Sequence, residues 1–292
     1  MCNAVLKGFI KDMFKSKDKT NYTIIRAKPR WQLLDFSEIW RFRELFFVFA
    51  WRDIKVRYKQ TILGAAWAVF QPLSSMFIFT IFFGNFAKIP SGELPYSLFV
   101  LIGLVFWNYF SGVLSRASNS LVENEGIVKK VYFPREILPL STIGANLVDF
   151  GITLLLLLMV SLYFRFIPSA LILVIVPLGL FIGTLGAGGL GLFLSAFNVK
   201  YRDVRYILPF FIQIMIFLTP VIYPTSIMRP SFRYIIALNP MTGVIDAART
   251  VFSGGINLNW SILAISGGAS AVFFIIGLYY FKSTERFFAD LV

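Results

Sequence analysis

Most of this chain consists of long stretches without a single charge. Residues 60–87, 94–115, 166–199, 206–227 and 260–281 contain no Asp, Glu, Lys or Arg, and 137–164 is broken only by Asp149. An α-helix needs about 20 apolar residues to cross a bilayer. An open strand cannot satisfy its backbone in lipid, so each run reads as a helix. The expected spans are 62–86, 94–115, 138–164, 170–197, 206–227 and 260–281. Composition agrees: 57% hydrophobic and 15% charged residues, against about 45–50% and about 25% in soluble domains. The fold class is an all-α polytopic membrane protein with six transmembrane helices.

Basic residues set the expected orientation. With the N-terminus in the cytoplasm, the inner segments 1–59, 116–136, 199–205 and 282–292 hold 23 Lys and Arg, and the outer segments hold 5. Both termini are therefore expected inside. The net charge of +13 fits a basic face resting on anionic membrane lipids, and no nucleic-acid recognition module is visible. Lys7, Lys11 and Lys15 interrupt the one apolar stretch near the start, so no signal peptide is expected.

Residues 1–59 form the expected cytoplasmic segment and 60–292 the six-helix domain. Phe36, Trp40, Phe47, Trp51, Ile54 and Tyr58 share one helical stripe, and Asp35 and Glu38 have capping-box spacing. The stripe predicts an amphipathic helix over about 36–59 in the membrane interface. Val5, Leu6, Phe9, Ile10, Met13 and Phe14 suggest a shorter surface helix, followed by a linker at 15–19. The role of 1–29 stays unassigned.

Cys2 is the single cysteine and there is no histidine. That removes disulfides, Cys/His metal sites and His-based acid–base catalysis. The chain also lacks Gly-Lys-Ser and Gly-Lys-Thr, so it has no phosphate-cradling loop for nucleotide hydrolysis. No catalytic, metal or cofactor site is expected in it.

Three groups of residues invite a function. The inner connection carries Glu123, Glu125, Lys129 and Lys130, then Tyr132, Phe133, Pro134 and Arg135; large apolar residues on a charged loop suggest a protein partner. Asp149 is the formal charge well within a span, which marks it for transport or for packing. Asn146 and Thr153 stand one turn either side and could satisfy it. Among 33 Phe, 12 Tyr and 6 Trp, Trp67, Trp107, Tyr109, Phe110 and Tyr223 could line a path for sugars. Gly179 and Gly183 have the spacing of close helix packing. Gln71-Pro72 should kink the first span, short helices are expected within 228–259, and Asp246 should pair with Arg249.

Taken in order, these pieces resemble the permease subunits of polysaccharide-exporting ABC transporters. The resemblance runs from about residue 30. It includes Arg52-Asp53-Ile54-Lys55-Val56-Arg57-Tyr58-Lys59-Gln60, Leu63-Gly64 with Trp67, Pro95-Tyr96 and Phe106-Trp107. Lys129-Lys130-Val131-Tyr132-Phe133-Pro134-Arg135 then leads to Leu138-Pro139. Val199-Lys200-Tyr201-Arg202-Asp203-Val204, Thr219-Pro220-Val221-Ile222-Tyr223-Pro224, Asn239-Pro240 and Glu285-Arg286-Phe287-Phe288-Ala289-Asp290 complete it. The resemblance implies a homodimer, each copy docked through 116–136 to a cytoplasmic ATPase subunit that binds ATP and Mg. It implies a polysaccharide cargo on polyprenyl pyrophosphate, of O-antigen, capsule or teichoic-acid type, moved outward across the bacterial inner membrane. Arg52, Lys55, Arg57 and Lys59 are placed to meet the pyrophosphate. The alternatives are an ABC permease for another lipid or drug, a proton-coupled flippase and a membrane-embedded transferase.

Overall fold

The structure is a computed structural model that describes residues 40–59, 66–201, 203–285 and 288. The readings placed on 1–39, including the capping box, and on Gln60, Leu63 and Gly64 lie outside the described residues, as do those on Arg202, Arg286, Phe287, Ala289 and Asp290. The described helices are α1 (Arg43–Lys59), α2 (Ala66–Phe79), α3 (Tyr96–Glu123), α4 (Glu125–Val128), α5 (Ile137–Tyr163), α6 (Ile172–Lys200), α7 (Val204–Leu218), α8 (Pro230–Ile236), α9 (Pro240–Phe252) and α10 (Trp260–Thr284). No strand occurs among the described residues.

Five helices are long and apolar enough to cross a membrane: α2 with its π-helical continuation Thr80–Phe86, and α3, α5, α6 and α10. α2 passes through Pro72 as helix and loosens only at Thr80. α3 differs from its expectation. It continues to Glu123, about two turns past Ser115, because Val113, Leu114, Ala117 and Leu121 keep a helical face inward. It is apolar nearly all round and sits at the centre of the bundle, between α5 and α6. Some 78% of its most apolar window is buried, against 6% for α2, which lies at the edge.

α6 is the second hub, packed by α3 on one side and α10 on the other. Its glycines allow this. A Cβ on Gly189 would run into the backbone of Phe274, and one on Gly277 into the Gly189 carbonyl. Gly179 and Gly183, the pair noted for its spacing, instead face Val244 and Met241 of α9 and Phe106 and Tyr109 of α3.

The run 206–227 is not one helix. α7 has 15 residues, about 22 Å of rise, and then the chain passes through turns and bends at Thr219–Pro224 to a single 3-10 turn, Thr225–Ile227. Irregular backbone at membrane depth is tolerated where protein covers it. Here Val221 is fully buried and Ile222 nearly so. The Ile222 carbonyl accepts from the Tyr96 hydroxyl at 2.8 Å. Arg249 of α9 donates to the carbonyls of Val221 (2.7 Å), Tyr223 (3.4 Å) and Phe99 (3.3 Å). Its guanidinium lies 3.4 Å from the centroid of the Phe99 ring.

Arg249 therefore does not form an ion pair with Asp246. The three carbonyls occupy its N–H groups, while Asp246 accepts from the Thr225 hydroxyl at 2.6 Å and acts on Arg249 only from beyond ion-pair distance. The expected short helices are present as α8 and α9. Asn239 caps α9 by accepting from Met241 N at 3.0 Å, and Pro240 follows at the first helical position. The Asn239 amide also donates to Thr219 Oγ1 at 2.7 Å, tying α9 to the end of α7.

Candidate functional site

A cation of α1 meets an acid of the bundle. Asp149 faces α1, and Arg57 pairs with it while the Tyr58 hydroxyl donates to its other oxygen. The local partners expected for Asp149 are engaged elsewhere: Asn146 donates to the Thr142 carbonyl at 2.8 Å, and Thr153 donates to the backbone carbonyls of Asp149 and Phe150. An ionised carboxylate in an apolar span needs a full positive charge more than another dipole, and α1 supplies one. Arg52 is engaged too, with Asp53 at 2.9 Å and Asn124 Oδ1 at 2.8 Å. Two of the four proposed anion contacts thus hold the protein together. Lys55 lies over the Trp51 ring at 5.5 Å, and Lys59 is exposed at the end of α1.

The aromatic stripe of α1 faces mostly away from the bundle. Phe47 and Trp51 are exposed, whereas Phe49 and Ala50 are the buried positions. The reason is the partner: α1 packs on α5, with Ala50 against Gly144, where a Cβ would come within 2.9 Å.

The 124–136 connection splits its aromatic pair. Tyr132 is 80% exposed, but Phe133 is buried with its ring 5.9 Å from that of Phe49. The two are therefore not presented together. Phe133 anchors the loop to α1, and Pro134 is buried beside it. Glu123, Glu125, Lys129 and Lys130 are exposed, with Val131 and Tyr132 next to them. Beyond Pro134 the loop is bound to the end of α10. Arg135 donates to the Glu285 carbonyl through its guanidinium and to Glu285 Oε1 through its backbone N–H. Lys282 reaches Glu136 Oε1 at 2.7 Å and Glu285 Oε2 at 3.0 Å. Burial, then Glu285, push the Glu136 carboxyl above the ordinary range, and Lys282 opposes them. The Glu136 Oε2 atom is buried with no hydrogen-bond partner among the described residues.

Three of the five aromatics expected to line a path are interior. Trp107, Tyr109 and Phe110 are each under 5% exposed. Tyr109 sits edge-on to Phe150 at 5.5 Å and shares a 2.5 Å hydrogen bond with Thr184. They belong to the central helix, whose whole circumference is covered. Trp67 is half exposed, and Tyr223 is partly so, its hydroxyl donating to the Phe217 carbonyl at 2.9 Å. The exposed aromatics cluster instead on α2 and its continuation (Phe70, Phe77, Phe82, Phe86) and on α7 (Tyr206, Phe210, Phe217).

With this geometry in view, comparison with known proteins is decisive. The family described as ABC-2 type transporter matches residues 44–253, from the start of α1 to just past α9. The chain belongs to the ABC-2 type transporter family. It is thus a multi-pass protein of the bacterial inner membrane. It is similar to the O-antigen export system permease protein RfbA of Klebsiella pneumoniae, 27% identical over 85% of this chain and 95% of that protein. The Myxococcus xanthus RfbA is 29% identical over 74% of this chain and 82% of its own. The polysialic acid transport protein KpsM of Escherichia coli is 22% identical over 80% and 91%.

Within this ABC-2 chain, one charged residue escaped the sequence reading. Arg116 lies two turns inside α3, partly buried, with its charge facing Asp53 and Glu123. The helical spacing of Val113, Leu114, Ala117 and Leu121 would have placed it there. The Lys282–Glu136–Glu285 group carries no comparable signal, since its members are far apart in the chain.

Proposed function

We propose that this chain is the permease subunit of an ATP-driven exporter that moves a lipid-linked polysaccharide, O-antigen-like and carried on polyprenyl pyrophosphate, outward across the bacterial inner membrane. The observation that carries this reading is the near end-to-end similarity to an O-antigen export permease, 85% of this chain against 95% of that one. In this reading the protein works as a homodimer with two copies of a cytoplasmic ATPase, which binds ATP and Mg. Six crossings with both termini inside follow if α7 and the buried segment after it count as one span; the basic-residue bias supports that orientation.

The exposed part of the 124–136 connection, with Tyr132 at its tip, is the surface offered to the ATPase. Phe133, Arg135 and Glu136 transmit a push from that surface to α1 and α10. The lightly buried aromatics of α2 and α7, with Trp67 and Tyr223, face outward from the subunit and suit a wall shared with a second copy. Flat rings match the C–H faces of sugars. Lys55 and Lys59 are the cations of the original set left to meet an anionic headgroup.

The test is deletion and complementation. A strain lacking this chain should lose surface polysaccharide and accumulate the lipid-linked form inside, and restoration should require the ATPase. Surface polysaccharide that persists at the normal level would sink the proposal. Cysteines placed at Ser91 and Ser231, in a chain with Cys2 replaced, should react with an impermeant reagent from outside. One at Lys129 should not, and its labelling in intact spheroplasts would reverse the orientation.

A further inference from the structure

α1 and α5 touch closely at Ala50 and Gly144 and leave a groove beside that contact. The groove holds about 480 Å³ and is lined by Phe46, Phe47, Trp51 and Ile54 of α1 and by Ile143 and Leu147 of α5. Its walls are almost wholly hydrocarbon, yet Phe47, Trp51 and Leu147 remain well exposed. A face of this kind in a membrane protein meets lipid chains, and a bare apolar groove would take any of them. The rim adds selectivity. Lys55 stands one turn beyond Trp51 with its ammonium 5.5 Å from the ring centroid. Among the described residues it has no carboxylate partner, whereas Arg52 and Arg57 are held by Asp53 and Asp149. Lys59 is likewise without one among the described residues, but it lies a further turn along α1, and Lys55 is the lysine beside the groove.

We propose that the α1–α5 groove is a resident lipid site that takes one acyl chain of an anionic phospholipid, with its headgroup on Lys55. The aromatic ring beneath the ammonium keeps Lys55 extended over the groove mouth, and the chain fills the space between Phe47, Trp51 and Leu147. Such a lipid would act as a wedge that fixes the angle of α1 on α5. This site shares Lys55 with the export reading, but its test reads bound phospholipid and not export, so either can fail while the other stands.

Trp51 is a reporter inside the groove. The full chain is placed in nanodiscs of phosphatidylcholine containing increasing brominated phosphatidylglycerol or brominated phosphatidylcholine. The signal from Trp51 is the difference between wild type and Trp51→Phe. Half-maximal quenching should come at roughly fivefold lower mole fraction of the anionic lipid, the preference that one lysine at a membrane surface confers. Lys55→Gln should abolish that preference while leaving quenching by phosphatidylcholine intact. Native mass spectrometry provides an arm that does not use Trp51: wild type should retain one phosphatidylglycerol that Lys55→Gln loses. Equal quenching by both lipids, with equal retention, means ordinary surrounding lipid and overturns the proposal. Absence of Trp51 quenching by either lipid means that protein covers the groove, and overturns it equally.

Discussion

Replacing Asp149 by Asn separates a structural acid from one that carries protons. Asparagine keeps the size of the side chain and can still accept from Tyr58, so the loss is the charge facing Arg57. Removing one partner of a fully buried pair costs about 3–5 kcal/mol, and an exposed pair is worth about 0–1 kcal/mol. The Asp149 side chain is 16% exposed and that of Arg57 is 33%. The pair lies between the limits, and about 2 kcal/mol is the expected cost after solvent screening. At about 2–4 °C per kcal/mol for a domain of this size, the Tm of the purified protein should fall by about 4–8 °C. Adding Arg57→Gln removes the cation that faced Asp149. The double variant should then be more stable than the two single losses predict, by about 1–2 kcal/mol of coupling. Tm is read by scanning fluorimetry in detergent, and export by surface polysaccharide in the complemented strain. Export should survive in Asp149→Asn wherever the protein accumulates normally. A variant with wild-type Tm, normal insertion and no export would refute the reasoning, because the acid would then work in transport and not in the clamp.

Three further outcomes follow from the same contacts. Lys282→Met leaves Glu136 facing Glu285 without its cation, so the Glu136 carboxyl rises further and the folded state binds a proton that the unfolded chain releases; the Tm of this variant should be higher at pH 5 than at pH 8, and the reverse slope would rule the account out. Phe133→Ala should cost about 3–4 kcal/mol of stability. Tyr132→Ala should leave Tm unchanged yet weaken co-purification of the ATPase about tenfold; equal effects of the two on Tm would show that the pair is not split. Arg249→Met strands the Val221, Tyr223 and Phe99 carbonyls and should cost about 3–5 kcal/mol, with Arg249→Lys recovering only part because an ammonium lacks the planar fork; full rescue by lysine would mean that charge alone matters there.

The spans were legible because lipid demands length and apolarity, and both are written directly in the residues. Where the reading stopped short, the physics was of another kind. Thr219-Pro220-Val221-Ile222-Tyr223-Pro224 is apolar enough to pass as membrane helix, but hydropathy does not register that its backbone leaves the helix in turns and bends and that its carbonyls belong to Arg249 and Tyr96. Ser115-Arg116-Ala117-Ser118-Asn119 looked like a loop because it is polar; its small side chains let α3 continue packed against α6, where Gly191 meets Ala117. Asp149 stands out in the sequence as a charge within a span, but its partners are 91 residues away for Tyr58 and on the same remote helix for Arg57. Tyr132 and Phe133 are neighbours in a loop with no period, so nothing in the sequence could say which one turns inward.

The meeting of Gly189 with Phe274 and Gly277 also imposes an order in time. α6 and α10 are separated in the chain by all of α7, α8 and α9, so α6 enters the membrane long before the surface that fits it has been synthesised. Until α10 arrives, the glycine face of α6 is a shallow trough in lipid, and the Ala237 and Asn239 carbonyls await the Ser266 hydroxyl. A chain cut at residue 259 would carry most of its spans, and still be an unfinished bundle. The last helix is therefore the step at which the cell can tell a complete subunit from a fragment, and truncations from the C-terminal side should be cleared sooner than their short length of missing sequence suggests.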